Sequence, residues 1–324
     1  MLINSAQKLC DLLSLGVMAS CPTTVIGGLV NKVWHITTDT GAYAVKELRI
    51  TNITGPQVLA YYETTEKIAE IFATHNIKSV AALLDNGQAV HYIDSAYFIV
   101  YPWVNAKNLD KDAISALHAS KVAALLAKIH QLNLELPELT APNWDIHEDS
   151  YIAALIEKCK GLPFTIPSAI FTWNSAYKQA IPRLNEKLVI SHGDLDQKNV
   201  LWDQNDNPIL IDFESARMLN PTAEIIQVAL DWSSVTSCQL DEEIFASIFA
   251  SYFAAGGKID GDLDDAFYSY LGNTINWLLF NLNRCFDSAP LERKFAQDHV
   301  PEVINMMKYL AGNMERFKSL IEVI

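Results

Sequence analysis

From residue 110 to its end, the 324-residue chain carries mostly helical apolar periodicity, broken once, at 188–213, by three short strand-like runs. Leu188-Val189-Ile190 is the first, Val200-Leu201-Trp202 the second and Pro208-Ile209-Leu210-Ile211 the third. A polar cluster, Ser191-His192-Gly193-Asp194-Leu195-Asp196-Gln197-Lys198-Asn199, separates the first two. The turn-forming Asp203-Gln204-Asn205-Asp206-Asn207 separates the second from the third. The pattern predicts strand, tight polar loop, strand, turn, strand. Asp194, Asn199 and Asp212 then converge at one end of a small hairpin sheet.

The first third has a different texture. Asn4 or Ser5 suits the cap of a short helix ending near Leu15. Runs at 23–26, 32–37 and 42–48 read as an antiparallel meander, with turns at Gly27-Gly28 and Asp39-Thr40-Gly41. Pro56 suits the first turn of a helix reaching His75, and two more strands are expected near 89–93 and 97–104. Helices are expected at 111–132, 147–160, 171–186, 222–235, 241–255, 262–286 and 299–322. The whole is an α+β chain of two lobes, residues 1–104 and 105–324, joined near Pro102–Asn108.

Two carboxylates and an amide at one sheet end form a set of hard oxygen donors. Asp212 at a strand end suits Mg²⁺, and the Asn199 carbonyl suits a second ion. Asp194 is placed to accept the proton of an attacking hydroxyl, with His192 bracing the loop. Phosphoryl transfer needs this combination of positioning and charge neutralisation. The plainer reading, a polar turn between strands, explains either block alone but not the two together.

Here the chain resembles the aminoglycoside phosphotransferase and choline kinase group, relatives of the protein kinases. His192-Gly193-Asp194-x4-Asn199 is similar to that family's catalytic loop, and Ile211-Asp212-Phe213-Glu214 to its metal-binding segment. Gln197-Lys198 departs from the family's frequent Pro-Gly, and no Ala-Pro-Glu follows Phe213-Glu214. The segment that positions a peptide in protein kinases is therefore missing. The resemblance implies a protein-kinase-like two-lobed fold: an antiparallel N-lobe sheet with one main helix, and a larger helical C-lobe. It also implies transfer of a γ-phosphate from ATP or GTP, with Mg²⁺, to a small-molecule hydroxyl. A catalytically silent nucleotide-binding module is the alternative.

The same resemblance assigns the nucleotide side. Lys46, on the third strand, is expected on the α- and β-phosphates. Of Glu63, Glu66 and Glu70 on the following helix, Glu66 shares the inward face with Tyr62 and Ala69 and is the expected partner of Lys46. Gly27, Gly28 and Asn31 lie in the loop expected to cover the phosphates. Tyr101, Trp103 and Val104 lie where this fold binds adenine, although Trp103 suits ordinary packing equally well. For the acceptor, the C-terminal helices offer Asp231, Trp232, Asn276 and Trp277. Aromatic faces with carboxylates suit a cationic compound.

The formal charge of −14 argues against a nucleic-acid partner and is compatible with a cationic acceptor. The five scattered cysteines show no paired spacing, which suggests reduced thiols in a cytoplasmic protein. The apolar run 12–19 has a single preceding Lys8 and a flanking Asp11, which argues against a leader peptide. No membrane segment is expected, and the protein is expected to be a monomer or homodimer.

Overall fold

Strand β2 (Lys32–Thr37) pairs antiparallel with β3 (Ala42–Leu48), Thr37 opposite Ala42 and Lys32 opposite Glu47. The Thr38 hydroxyl accepts the amides of Thr40 and Gly41, closing the turn between them. In the computed structural model, which describes residues 3–25, 31–49, 55–139, 144–287 and 289–324, these strands form the middle of a five-stranded sheet. Its order is β1-β2-β3-β5-β4, with β1 Thr23–Val25, β4 Val90–Ile93 and β5 Ala96–Pro102. Every pairing in it is antiparallel.

Side chains alternate across a strand, so the two faces of β3 do different things. Val45, opposite Val100, joins Leu9, Cys10 and Leu15 of the first segment, where α1 (Ile3–Leu12) packs. Lys46, opposite Ile99, points the other way. On that face Leu48 and Ile99 pack with Tyr62 of α2 (Pro56–Thr74), a helix begun by a proline in its first turn.

The chain divides into two compact units: the segment up to Leu109 with His192–Arg217, and Asp110–Ser191 with Met218–Ile324. A division at 104/105 would leave the 192–217 segment in the second unit, whereas the structure folds it with the first. Backbone bonding explains this. In the hairpin of β7 (Val200–Trp202) and β8 (Pro208–Leu210), Leu210 N donates to Lys78 O and Val80 N donates to Leu210 O. Lys107 and Trp202 exchange both of their backbone bonds.

The second unit is helical: α3 Ala116–Gln131, α4 Asp149–Lys158, α5 Ala169–Leu184, α6 Pro221–Trp232, α7 Glu242–Ala254, α8 Leu263–Arg284 and α9 Pro290–Glu322. Two short strands, β6 (Val189–Ser191) and β9 (Arg217–Leu219), pair in a two-stranded sheet. α8 is the hub, with α5, α6 and α9 packed on it. Gly272 makes the α5 contact possible, because a Cβ there would lie 2.4 Å from the buried Tyr177 ring. Asn220, Asp241 and Asp262 cap α6, α7 and α8 through side-chain oxygens.

Two helix boundaries differ from the sequence pattern. The helix expected over 111–132 is a 3-10 turn at Lys111–Ala113, then α3 from Ala116, because Ser115 and His118 close a capping turn. The last helix starts at Pro290 rather than near residue 299, and keeps Pro301 inside. A 33-residue helix packed against α8 tolerates the one backbone bond that Pro301 removes.

Candidate active site

The loop after Ser191 turns on Gly193, whose φ is +76°. A Cβ there would sit 2.2 Å from the Ser215 carbonyl oxygen, so both the conformation and the close approach require glycine. His192 is fully buried. It bonds the Ile211 carbonyl through Nε2 at 3.0 Å and accepts the Asp194 amide at Nδ1, with its ring against Phe213. These contacts make His192 a brace between the two polar segments.

The turn holds Asp194 in one pose. Asn199 Nδ2 donates to Asp194 Oδ2 at 2.9 Å and to its carbonyl at 2.8 Å. Asn199 is buried, whereas the Asp194 carboxylate is about one-third exposed. With its amide nitrogen committed, Asn199 has its carbonyl oxygen left as a donor atom. Asn108 fixes the turn from outside by donating to the Lys198 carbonyl at 2.8 Å. Ile211 N donates to Asn199 O, so the two segments meet at this point.

Asp212 follows directly, at φ 62° and ψ 69°. A left-handed conformation at a non-glycine residue costs roughly 1–3 kcal/mol and is typical of functional positions. It aims the carboxylate at Lys46, whose Nζ lies 2.9 Å from Asp212 Oδ1 and 2.8 Å from Glu214 Oε1. Glu214 also accepts from Asn31 Nδ2 at 2.7 Å. Burial opposes the Lys46 charge, but Asp212 and Glu214 outweigh it and hold its pKa above the ordinary lysine value. Burial likewise pushes Asp212 up, and the Lys46 ammonium overcomes this to hold it below the usual carboxylate range.

The expected Lys46–Glu66 ion pair is corrected by this geometry. Lys46 sits on Asp212 and Glu214, and Glu66 instead accepts the Tyr101 hydroxyl at 2.6 Å. Glu66 faces inward at 4% exposure, as its place on the α2 face implies. Its Oε2 has no hydrogen-bond partner among the described residues. Burial raises its pKa to about 7, against the opposing pull of the Tyr101 hydrogen bond and the Lys46 charge. Glu63 is occupied elsewhere, accepting the amides of Ala89 and Val90.

Beside this cluster lies a cleft of about 270 Å³. Val25, Val33, Ala44, Leu201 and Ile211 form apolar walls, while Lys46 and Asp212 stand at a charged end. Tyr101, Trp103 and Val104 line it too. Trp103 is 45% exposed, edge-on to His35, and its amide is spent on the Ala42 carbonyl within the sheet. Gly27 and Gly28 lie outside the described residues.

The charge balance fits a hard divalent cation. Two carboxylates, Asp212 and Glu214, share one ammonium, and Glu66 adds a third acid nearby. Asp212 and the Asn199 carbonyl supply two oxygen donors, a set that suits an ion completing its shell with water and ligand oxygens. Among the described residues no group of three or more His, Cys, Asp or Glu side chains forms an all-protein metal cage.

The residues expected at the acceptor fare unevenly. Trp232 is 1% exposed and belongs to the core, which removes it as a ligand contact. Asp231 accepts the Tyr270 hydroxyl at 2.6 Å. Asn276 is half-buried; Trp277 is exposed, stacks on Phe280 and donates from its indole to His299 Nε2 at 3.0 Å. Sequence reasoning placed Glu214 only within the metal-binding-type segment and did not foresee its bonds to Lys46 and Asn31. Its signal was present: an acid two residues beyond a metal-type aspartate. The contributions of Asn108 and Lys198 were also not foreseen, because both depend on which loop lies beside which.

No curated protein matches the chain. Among solved structures, an amicoumacin kinase in complex with AMP-PNP, Ca²⁺ and its ligand is similar at TM-score 0.66 and 13% identity, covering 93% of this chain and 92% of that one. Spectinomycin phosphotransferase, solved with ADP and spectinomycin, gives 0.63 at 13% identity, over 94% and 98%. A choline kinase from Streptococcus pneumoniae gives 0.61 at 17% identity, over 93% and 99%. These likenesses establish the protein-kinase-like fold. Residues 23–257 also match the profile of a family described as phosphotransferase enzymes, a stretch that holds Lys46, Asp194, Asn199 and Asp212, and the chain therefore belongs to the phosphotransferase enzyme (APH) family.

Proposed function

We propose that the protein transfers the γ-phosphoryl group of ATP or GTP to a hydroxyl of a small polar compound, of the antibiotic or amino-alcohol type that its structural neighbours bind. The observation that carries this reading is the meeting of a buried lysine, a strained aspartate and an amide-held aspartate beside an apolar cleft. The cleft suits a nucleobase on its apolar walls, with the phosphates toward Lys46. Asn199 and Asp212 would hold Mg²⁺, which when bound would neutralise phosphate charge. Lys46 then binds phosphate oxygens, trading part of its pairing with Asp212 and Glu214 for them.

Asp194 accepts a hydrogen bond from the acceptor hydroxyl and takes its proton as the new oxygen–phosphorus bond forms. The bond from phosphorus to the β-phosphate oxygen breaks, leaving nucleoside diphosphate and a phosphate monoester, and the proton passes from Asp194 to water. Asn199 keeps Oδ2 oriented throughout. Asp231, Asn276 and Trp277 are proposed for acceptor contacts.

The test is nucleotide consumption with Mg²⁺ and ATP or GTP separately, across aminoglycosides, other hydroxylated antibiotics, choline-like amines, hydroxy amino acids and sugars. Turnover that depends on one compound and disappears in Asp194→Ala is the expected result. A wild-type protein that binds no nucleotide in the presence of Mg²⁺ would overturn the reading.

A further inference from the structure

The turn between Asp194 and Asn199 carries a cation for which the reaction above has no task. Lys198 is fixed at its backbone, while its side chain is largely exposed. Asn108 holds its carbonyl, and Asp196 caps the same turn by accepting the Gln197 amide at 2.6 Å. Its ammonium lies 3.4 Å from Asp194 Oδ2 and 3.5 Å from Asp196 Oδ2. Charge-assisted bonds close to about 2.7–2.9 Å. Lys198 therefore rests between two carboxylates and is firmly bonded to neither, with 58% of its side chain exposed. Lys46 is the opposite case: 9% exposed and at full bonding distance from both its acids.

A lysine beside a catalytic aspartate has a dull explanation, that it orients the carboxylate. Asn199 already does so, at 2.9 Å to the same oxygen. What remains is an exposed positive charge next to the atom that takes the acceptor proton. In the reacting complex the acceptor oxygen lies about 2.6–3.2 Å from that carboxylate. The phosphoryl group joins this same oxygen, which brings its non-bridging oxygens within reach of Lys198 Nζ. Charge spreads over those oxygens in the loose transition state of phosphoryl transfer. A donor waiting where charge develops lowers the barrier.

We infer that Lys198 is a phosphoryl-binding residue: its ammonium moves off Asp194 and Asp196 to hold a non-bridging oxygen of the group in transfer. The inference rests on the phosphoryl-transfer reading. Lys198 stays protonated throughout and exchanges no atoms with substrate. Asp196 is its resting partner, keeping the ammonium near the reacting centre between turnovers.

The test needs no acceptor. Calorimetry measures Mg·ADP binding with and without aluminium fluoride, which mimics the phosphoryl group in flight. In the wild type, fluoride tightens ADP binding. Lys198→Met is expected to cut that gain by about 10–100-fold and to leave Mg·ADP affinity within roughly twofold. Lys198→Arg is expected to keep most of the gain. An undiminished fluoride gain in Lys198→Met overturns the inference. So does an equal loss of Mg·ADP affinity, which would make Lys198 a general nucleotide clamp. Wild-type protein that binds no Mg·ADP at all would instead overturn the phosphoryl-transfer reading, and this inference would fall with it.

Discussion

In the second unit Glu224, His130 and Tyr252 form a buried chain that ends with the Tyr252 hydroxyl donating to the Lys258 carbonyl. His130 bonds Tyr252 Oη through Nδ1 and Glu224 through Nε2, both at 2.8 Å. Burial and the Glu224 charge raise the Tyr252 pKa, so its hydroxyl stays protonated. In the first unit Lys46 and Glu66 are buried, but the Asp212 and Glu214 side chains are partly exposed and the charges are not evenly matched. One ammonium serves two carboxylates, Glu66 Oε2 has no hydrogen-bond partner among the described residues, and a cleft opens beside them. A buried polar group left incomplete costs stability. A satisfied network needs no ligand, whereas surplus negative charge beside a cleft suits the cation-binding role proposed above. On the proposed function, that contrast separates a structural cluster from a working one more sharply than burial does.

Four substitutions probe the contrast. Asp212→Ala should abolish Mg²⁺-dependent nucleotide binding and lower turnover by about 10³-fold or more. An unchanged Mg²⁺ titration by calorimetry would remove Asp212 from the metal. Asp194→Ala should lower kcat by about 10²–10⁴-fold with nucleotide affinity intact, as steady-state kinetics and nucleotide titration will show.

Glu66→Gln tests the incomplete side through pH. The folded-state pKa, about 7, stands above the ordinary 4.5. The folded protein therefore holds this proton more tightly, and its stability falls as pH rises between those values. The contribution is present below about pH 4.5 and lost through pH 7, by about 3 kcal/mol. Glutamine has no such proton, so relative to wild type Glu66→Gln should gain about 3 kcal/mol between pH 5 and pH 8 in denaturant unfolding. A pH-independent difference would show that Glu66 is not held protonated. Tyr252→Phe tests the satisfied side. It should cost about 1–3 kcal/mol of stability and leave kcat within roughly twofold. A large loss of activity would mean that the two clusters do not differ in kind.

Much of the first unit was legible in the sequence, because a strand writes its two faces into alternate residues. Ala42–Leu48 was bounded correctly for that reason, and helical spacing put Glu66 inside. The loop holding Asp194 was readable because Asp, Asn and Gly between apolar runs leave the chain few other conformations. The partner of Lys46 was not readable: it depends on a left-handed Asp212 and on the Tyr101 hydroxyl capturing Glu66. Trp232 shows the same limit on the acceptor side. A tryptophan beside an aspartate on a helix reads alike whether it meets a ligand or the core, and only its 1% exposure decides.

The first unit is discontinuous, and this has a consequence for how the protein is made. Its sheet is complete once residue 109 has been synthesised, but the hairpin bearing Asn199 and Asp212 emerges 82 residues later, after 110–191. At roughly 5–20 residues per second, the ribosome needs on the order of ten seconds to cover that gap. During that time the edges at 78–80 and Lys107 lack the strands that will pair with them, and Lys46 has neither of its acids. The nascent chain can therefore pair Lys46 only once Asp212 and Glu214 have been added, and a chain released earlier carries the lysine without its acids.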